Sequence, residues 1–224
     1  MPGASSRTFV LIAALVAVLL VGAAGGMLIN TARGADDTPP TAGSVDVGFA
    51  QDMRVHHLQA VTMAGIERDN TSDPILQGFA FDVESTQLAQ SSEMAGWLTV
   101  WGRPQLPDAG APYMEWMSEG GTHTHSNGEG GKTTGAVQRM PGMATSEELN
   151  KLRKLTGKEL DVFFLQLMLR HHEGGLEMAQ YAADHAAEGY VRNLADKIVQ
   201  SQENEAGLMK SYLAERGAQP LPSP

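Results

Sequence analysis

The chain has no cysteine among its 224 residues, which excludes disulfides, thiolate zinc sites and thiol nucleophiles. Basic residues are also scarce, with 16 Lys and Arg against 26 Asp and Glu and a formal net charge of −10. Because phosphate binding needs clustered Lys and Arg, this balance argues against a nucleic-acid partner. Ser-His-Asp arrangements, phosphate-binding loops and zincin motifs are missing as well. These absences favour a binding protein over an enzyme.

Long uncharged runs are rare, and the one that occurs lies near the N-terminus. The stretch from Phe9 to Ile29 carries no charge and follows Arg7. At about 1.5 Å per helical residue it can span the ~30 Å hydrocarbon core of a bilayer. We predict that residues 1–35 are an uncleaved signal anchor with a membrane helix at about 9–29, and a cleaved signal peptide is the alternative. Either way the remainder is exported, so we expect an extracytoplasmic protein that is anchored to the cell membrane or secreted.

Internal repetition is the main feature of the rest of the chain. A shift of 115 residues aligns "DVGFAQDMRVHHLQAVTMA" (46–64) with "DVFFLQLMLRHHEGGLEMA" (161–179), and nine of the 19 aligned positions are identical. The same offset continues without a gap to the end of both copies. Two copies of one helical hairpin are therefore predicted, at 46–102 and 161–217.

Helix start and stop signals agree with two hairpins, and no convincing strand run occurs. The predicted boundaries are capping boxes at Thr145 with Glu148 and at Thr156 with Glu159, a helix start at Asp73-Pro74, and C-terminal glycines at Gly102 and Gly217. We interpret residues 36–45 as a linker, about 103–144 as a flexible connection containing His, Gly and Met, and 218–224 as a tail. The expected fold is all-α, an antiparallel four-helix bundle over residues 46–217.

Both histidine pairs are predicted to face the core of this bundle. On a helical wheel of about 100° per residue, the histidines of each copy share a stripe of roughly 120° with methionines and small residues. The stripe holds His56, His57, Met53 and Met63 in the first copy and His171, His172, Met168 and Met178 in the second. A single core histidine is usually a hydrogen-bonded structural residue, but four need four sets of partners, and each unpaired one costs about 1–3 kcal/mol. Metal ligation is the favoured interpretation, and hydrogen bonding that fixes helix register is the alternative.

The donor set indicates which metal such a bundle would bind. Thioether sulfur prefers soft ions, whereas imidazole accepts copper, zinc, nickel and iron. A His/Met set without cysteine in an oxidising compartment points to copper, particularly Cu(I), with other transition metals as alternatives. A di-iron site is disfavoured because no Glu-x-x-His occurs in the chain. Weaker candidate ligands are Met94 and Met209 on the returning helices and His123, His125, Met140 and Met143 in the connection.

These motifs resemble a known family. The stretches "FAQDMRVHHLQAVTMA" and "FFLQLMLRHHEGGLEMA", with "MPGM" before the second, are similar to the family catalogued as domain of unknown function 305. The resemblance implies a ferritin-like four-helix bundle, typically exported, and copper binding in metal resistance for some members. It places the family's paired histidines and methionines on the positions named above. It also places the family's glutamate of the return helix on Glu205, where the first copy has Gln90.

Three functions follow as hypotheses. The leading one is an extracytoplasmic protein that binds copper for storage, buffering, delivery or resistance through two His/Met clusters, the second of which includes Glu205. The competing one is a non-catalytic structural or partner-binding module of the cell envelope, in which the histidines only fix helix register. The third is a ferritin-like metal oxidase.

Overall fold

The repeats form long helices where the sequence predicts them. The computed structural model describes residues 38–118 and 136–222. Its helices are α1 (Val45–Asn70), α2 (Pro74–Val100), the short α3 (Ser146–Leu152), α4 (Gly157–His185) and α5 (Gly189–Glu215), with a 3-10 turn at Glu115–Met117. Within the described residues the only pairing of extended backbone is a single bridge between Tyr113 and Val137. The all-α prediction is confirmed.

Two sequence-based predictions fall on parts of the chain that the structure does not describe. The expected membrane helix at 9–29 and the candidate ligands His123 and His125 all lie outside the described residues. Among residues 38–118 and 136–222, no helix combines the length and the apolar character needed to cross a membrane.

Local capping chemistry sets most of the helix ends. The Asp73 carboxylate accepts hydrogen bonds from the first amides of α2, and the proline that follows occupies the first turn, where its missing N–H leaves no hydrogen bond unmade. Thr145 and Glu148 form the predicted capping box at the start of α3. Gly102 and Gly217 take φ of 64° and 66° after α2 and α5. These ends match the predicted boundaries.

The start of α4 differs from its prediction. Thr156 is the N-cap residue of α4, but its hydroxyl makes no capping hydrogen bond, so the predicted capping box with Glu159 is wrong. Gly157 takes φ of 56° directly after it. This left-handed conformation leads the chain into the helix along a path on which the Thr156 hydroxyl does not meet the amides of the first turn.

The four long helices pack as two hairpins that meet through α1 and α4. At one end of this contact, the Asp46 carboxylate accepts hydrogen bonds from the amides of Ala187 and Glu188, at 3.1 and 2.8 Å. At the other end, the Thr71 hydroxyl donates to Asp161 at 2.8 Å. Asp46 and Asp161 are equivalent in the repeat, so each hairpin holds the turn of the other, and α1 and α4 run antiparallel.

Aromatic rings join α2 to α5 and close the helical bundle. The centroids of Phe79 and Tyr212 are 5.7 Å apart, and those of Trp97 and Tyr190 are 5.2 Å apart. Because Phe79 lies near the start of α2 and Tyr212 near the end of α5, these two helices are also antiparallel.

Two apolar clusters fill the bundle on either side of the histidines. Cluster 1 lies toward the start of α1 and the end of α4 and includes Phe49, Trp116 and Ile198. Cluster 2 lies toward the end of α1 and the start of α4 and includes Phe164 and Leu213. The histidines therefore occupy a polar level between two apolar halves.

The start of the connection after α2 packs against the first hairpin. The Asp52 carboxylate accepts hydrogen bonds from the amide of Met114 at 2.7 Å and from the indole of Trp116 at 2.8 Å, and burial raises the pKa of Asp52. Gly48 lets the Trp116 ring lie directly on α1, because a Cβ at that position would be 2.3 Å from the ring. Met114 and Met117 are buried in cluster 1. This part of the connection belongs to the core.

Candidate metal centre

Four buried histidines form a layer across the contact between α1 and α4. His56, His57, His171 and His172 have no exposed surface, and we call them the histidine layer. The rings of His56 and His171 lie against each other, with centroids 3.7 Å apart and a tilt of 35°. The centroids of His171 and His172 are 6.2 Å apart. The fold therefore brings the histidines of the two repeats to one level of the bundle.

Each imidazole of the layer is held by a hydrogen bond from its Nε2 atom. The Nε2···O distances are 3.2 Å from His56 to the backbone of Pro141, 3.0 Å from His171 to the backbone of His56, 2.8 Å from His57 to Gln90 Oε1 and 2.6 Å from His172 to Glu205 Oε2. Carbonyl, carboxamide and carboxylate oxygens are acceptors, so Nε2 is the donor in all four bonds. Neutral rings in this arrangement carry their proton on Nε2 and a lone pair on Nδ1.

The Nδ1 atoms are buried and unpartnered. None of the four has a hydrogen-bond partner among the described residues. The side-chain amides of Gln87 and Gln202, which are equivalent in the repeat, are also buried without a partner there. A buried acceptor without a donor costs about 1–3 kcal/mol. The centre of the bundle therefore holds four ring lone pairs and two carboxamide groups that make no hydrogen bond to the described residues.

The environment keeps three of these rings, those of His56, His57 and His171, neutral. Burial lowers the pKa of His56 to about 4 and that of His57 to about 3, and the neighbouring His56 lowers the latter further. Burial and the three other histidines hold the pKa of His171 well below its ordinary value. At neutral pH the Nδ1 lone pairs of these three rings are therefore not protonated, which is the state that a metal ion requires.

Gly175 leaves a space on α4 that both the His56 ring and an unpartnered amide border. A Cβ at Gly175 would be 3.0 Å from Cε1 and 3.4 Å from Nδ1 of His56, and 3.1 Å from Oε1 of Gln202. The His56 ring and the Gln202 amide thus share the space that the missing side chain leaves on α4. Small residues beside the imidazoles were expected from the sequence, and here the His56 ring uses that space.

The methionines fall into the two apolar clusters and not into one group per repeat. Met53 and Met178 belong to cluster 1, whereas Met63 and Met168 belong to cluster 2. This sorting follows from the antiparallel crossing of α1 and α4, which brings the early part of one repeat beside the late part of the other. Each cluster therefore contributes one predicted methionine from each repeat.

The weaker candidates that the structure describes are also buried or partly buried. Met94 and Met140 lie in cluster 1, with Met143 packed against it, and Met209 lies in cluster 2. Glu205 binds the Nε2 side of His172, so its carboxylate orients that ring. Within residues 38–118 and 136–222, no three His, Asp or Glu side chains are grouped so as to hold a metal ion by themselves.

A short segment of the connection also contacts the histidine layer, through backbone atoms that were not predicted to take part in the site. Residues 140–144, which we call the strap, include the "MPGM" motif and form a turn in which the Met143 amide donates to the Met140 carbonyl at 3.3 Å. The strap provides the Pro141 carbonyl for His56, and Gln59 binds its last residue, Ala144. The Pro-Gly pair signals a turn, but nothing in the sequence indicates that a backbone carbonyl of this turn meets a histidine.

Comparison with known proteins identifies the family. Residues 46–213 match the family model described as Domain of unknown function (DUF305). The chain belongs to this family. A predicted secreted DUF305 protein from Streptomyces coelicolor has a solved structure that is 41% identical, with a TM-score of 0.70, over 81% of this chain and 99% of that one.

More distant relatives share the fold. A DUF305 fragment from Deinococcus radiodurans is 27% identical over 79% of this chain and 99% of its own, with a TM-score of 0.60. CopM in its Cu(I)-bound form is 22% identical over 76% of this chain and 96% of its own, with a TM-score of 0.55. CopM has also been solved in Cu(II)-bound and Ag-bound forms. A comparison with curated proteins gives no match.

Proposed function

We propose that this DUF305 protein binds a transition-metal ion, copper above all, in the histidine layer of an exported, ferritin-like four-helix bundle. The observation that carries the proposal is the set of four buried Nδ1 atoms that have no partner while every Nε2 proton is held by an acceptor. A cluster of unpartnered lone pairs is costly in a metal-free core. The same cluster is a set of ligands once an ion is present.

The hydrogen bonds of the layer are those that metal-binding histidines usually make. Such a histidine donates its second ring N–H to a carboxylate or a carbonyl, which fixes the tautomer and raises the basicity of the ligating nitrogen. Glu205 accepts this hydrogen bond from His172, and the Gln90 carboxamide oxygen accepts it from His57. Glu205, predicted from the sequence as a ligand, is better suited to orient His172 than to bind the ion itself.

The donor set favours a soft ion. Two of the four imidazoles of His56, His57, His171 and His172 would hold one ion through Nδ1, and the residues that would complete the ligand set are Met53, Met63, Met168 and Met178. No three His, Asp or Glu among the described residues suffice alone, so thioether sulfur or carboxamide oxygen has to take part. Thioether donors select Cu(I) over harder ions.

The relatives support copper as the metal and export as the location. CopM, which shares the fold, is known in Cu(I)-, Cu(II)- and Ag-bound forms, and the Streptomyces coelicolor relative is a predicted secreted protein. We therefore propose a role in copper buffering, delivery or resistance outside the cytoplasm. Residues 9–29 would anchor the protein to the membrane or direct its secretion.

A second function is favoured by one observation. Every imidazole of the layer has a protein acceptor for its Nε2 proton, as expected if the histidines serve only to fix the register of α1 and α4. This structural module would bind no metal. It accounts for four ring nitrogens and leaves the other four unexplained.

Removal of the second histidine pair tests the proposal. We expect the full chain to bind Cu(I) more tightly than micromolar in competition with a chromophoric chelator. The double variant His171→Ala with His172→Ala loses two ligands, and its affinity should fall by about 100-fold or more, since loss of an orienting partner alone costs 10–100-fold. His185→Ala is the matched control, because His185 lies on the same helix outside the layer.

The two functions give different results in this experiment. A structural role predicts that the double variant melts at a lower temperature whether or not copper is present, and that the wild-type protein shows no copper-dependent stabilisation. Wild-type binding weaker than micromolar, or an affinity that the double variant retains, contradicts metal binding by the histidine layer.

A further inference from the structure

The two repeats differ at the centre of the histidine layer. His171 donates its Nε2 proton to the backbone carbonyl of His56 at 3.0 Å. The symmetric arrangement would have His56 donate to the backbone carbonyl of His171. Instead His56 donates to Pro141 of the strap, at 3.2 Å. The strap therefore supplies one of the four acceptors that orient the layer, and it does so for one copy only.

Two glycines let the backbone of the strap lie directly on α4. Gly142 takes φ of 77°, and a Cβ there would be 2.5 Å from the carbonyl oxygen of Arg170. A Cβ at Gly174 would be 2.4 Å from the carbonyl atoms of Pro141. Real side chains do not approach so closely, so neither position accepts one unless the strap moves. This backbone contact lies on the turn of α4 that carries His171.

Gln59 holds the strap from the other side, on α1. Its Nε2 donates to the carbonyl of Ala144 at 3.0 Å, and its Oε1 accepts from the amide of Ala144 at 2.6 Å. Both groups of one carboxamide thus bind the backbone of one strap residue. The position equivalent to Gln59 in the second repeat is Gly174. The same position of the repeat therefore contacts the strap in both copies. In the first copy the Gln59 side chain binds its backbone, and in the second copy Gly174 leaves room for that backbone to pack on α4.

From these contacts we infer that Gln59 is a positioning residue for His56. By clamping the strap, Gln59 keeps the Pro141 carbonyl on Nε2 of His56 and so keeps the Nδ1 lone pair of that ring available inside the bundle. The hydrogen bond that a histidine ring makes determines which of its nitrogens carries the proton. If Gln59 does not hold the strap, the Nε2 proton of His56 loses its fixed acceptor, and the Nδ1–H tautomer of His56 becomes accessible. The expected effect on metal affinity rests on the proposed function, whereas the effect on the His56 tautomer does not.

The tautomer of His56 in the metal-free full chain is the first readout. Side-chain ¹⁵N NMR distinguishes the protonated from the unprotonated nitrogen of each ring. In the Gln59→Ala variant we expect His56 to change from the Nε2–H tautomer to a mixture, whereas His57 and His172, whose acceptors lie on α2 and α5, keep their tautomers.

Gln51→Ala is the matched control for this variant. Gln51 lies on α1 two turns earlier and also binds a connecting segment, through the carbonyls of Pro104 and Leu106 at 2.9 and 3.3 Å. Its removal leaves the strap in place, so the tautomers of the layer should not change. In the same pair of variants, Cu(I) affinity should fall about 10-fold for Gln59→Ala, as for other partners that orient ligands, and stay unchanged for Gln51→Ala.

Gly174→Ala provides an independent test that keeps Gln59. The added methyl pushes Pro141 off α4, so the same change in the His56 tautomer is expected. The inference is overturned if His56 keeps the wild-type tautomer in both Gln59→Ala and Gly174→Ala. If the wild-type protein binds no Cu(I), the proposed function fails, and the tautomer measurement still decides the role of Gln59.

Discussion

At the scale of single residues, Gln90 and Glu205 show how the repeats place different chemistry at one position. Both meet Nε2 of the second histidine of their copy, at 2.8 and 2.6 Å. The inward direction of His57 and His172 could be predicted from helical periodicity, and the family resemblance points to positions 90 and 205. The acceptors of His56 and His171 could not be predicted, because both are backbone carbonyl oxygens, which every residue has whatever its side chain.

Replacing Glu205 by glutamine makes the second half of the layer resemble the first. A hydrogen bond to a charged group contributes about 1.5–3 kcal/mol against about 1 kcal/mol for a neutral one, so we expect Glu205→Gln to lower the free energy of unfolding by roughly 1 kcal/mol. The imidazole of His172 also becomes a weaker base, and Cu(I) affinity should fall about 10-fold. Urea denaturation and chelator competition measure the two effects.

The reverse exchange is the control. Gln90→Glu gives His57 a carboxylate partner and should raise Cu(I) affinity or leave it unchanged. A Glu205→Gln protein with wild-type affinity would contradict the orienting role of Glu205.

At the scale of helices and connections, the sequence predicts the regular elements well and the irregular ones poorly. Both hairpins, and the ends marked by Asp73, Gly102 and Gly217, follow from repetition and capping chemistry. The Thr156 box does not form, because a positive φ at Gly157 redirects the chain. The connection contributes buried side chains and the strap, and these depend on tertiary contacts that periodicity does not encode.

The contact between Gly48 and Trp116 tests whether the connection belongs to the core. A Cβ at Gly48 would be 2.3 Å from the Trp116 ring, so Gly48→Ala has to displace the indole that donates to Asp52. Overpacking of this kind costs about 1–3 kcal/mol, and we expect the free energy of unfolding to fall by that amount in urea denaturation.

Gly207→Ala is the matched control for Gly48→Ala. Gly207 lies within α5 with no atom near the position of its Cβ, so alanine should stabilise the protein by up to about 1 kcal/mol through helix propensity. Equal effects of the two substitutions would show that the connection does not pack on α1 as described.

At the scale of the whole molecule, an internal duplication has produced a polar level that joins two apolar halves. The equivalent residues Asp46 and Asp161 hold opposite turns, and the histidines meet between them. The sequence repeat predicts that these aspartates and the two histidine pairs are equivalent. It could not predict which methionines share a cluster, because that depends on the antiparallel crossing of α1 and α4.

The buried layer should make global stability depend on pH. The pKa of His56 is lowered to about 4 and that of His57 to about 3, from 6.5, and that of His171 is also lowered. Below about pH 6.5 the unfolded chain therefore binds more protons than the native protein, and the free energy of unfolding falls as the pH decreases toward 4, by up to about 1.4 kcal/mol per pH unit for each histidine.

Glu67 acts in the opposite direction at higher pH. Burial, together with the nearby Asp161, raises its pKa to about 8 from 4.5, so the native protein keeps a proton that the unfolded chain releases. Stability should then decline as the pH rises toward 8, which leaves a maximum near pH ~6.5. Urea denaturation between pH 4.5 and 8 measures this profile. In His57→Gln, the slope of the unfolding free energy against pH below pH 6.5 should decrease by the equivalent of up to one bound proton. A flat profile below pH 6.5 would contradict the description of the rings as buried and neutral.

We propose that the protein binds copper through the Nδ1 atoms of the histidine layer. Side-chain ¹⁵N NMR of the full chain, labelled at histidine and titrated with Cu(I), tests this proposal because each ring nitrogen is observed separately. We predict that the Nδ1 resonances of buried rings shift on binding while their Nε2 atoms remain protonated and hydrogen-bonded. Unchanged Nδ1 resonances at saturating Cu(I), or loss of the Nε2 protons in favour of coordination through Nε2, would contradict the claim.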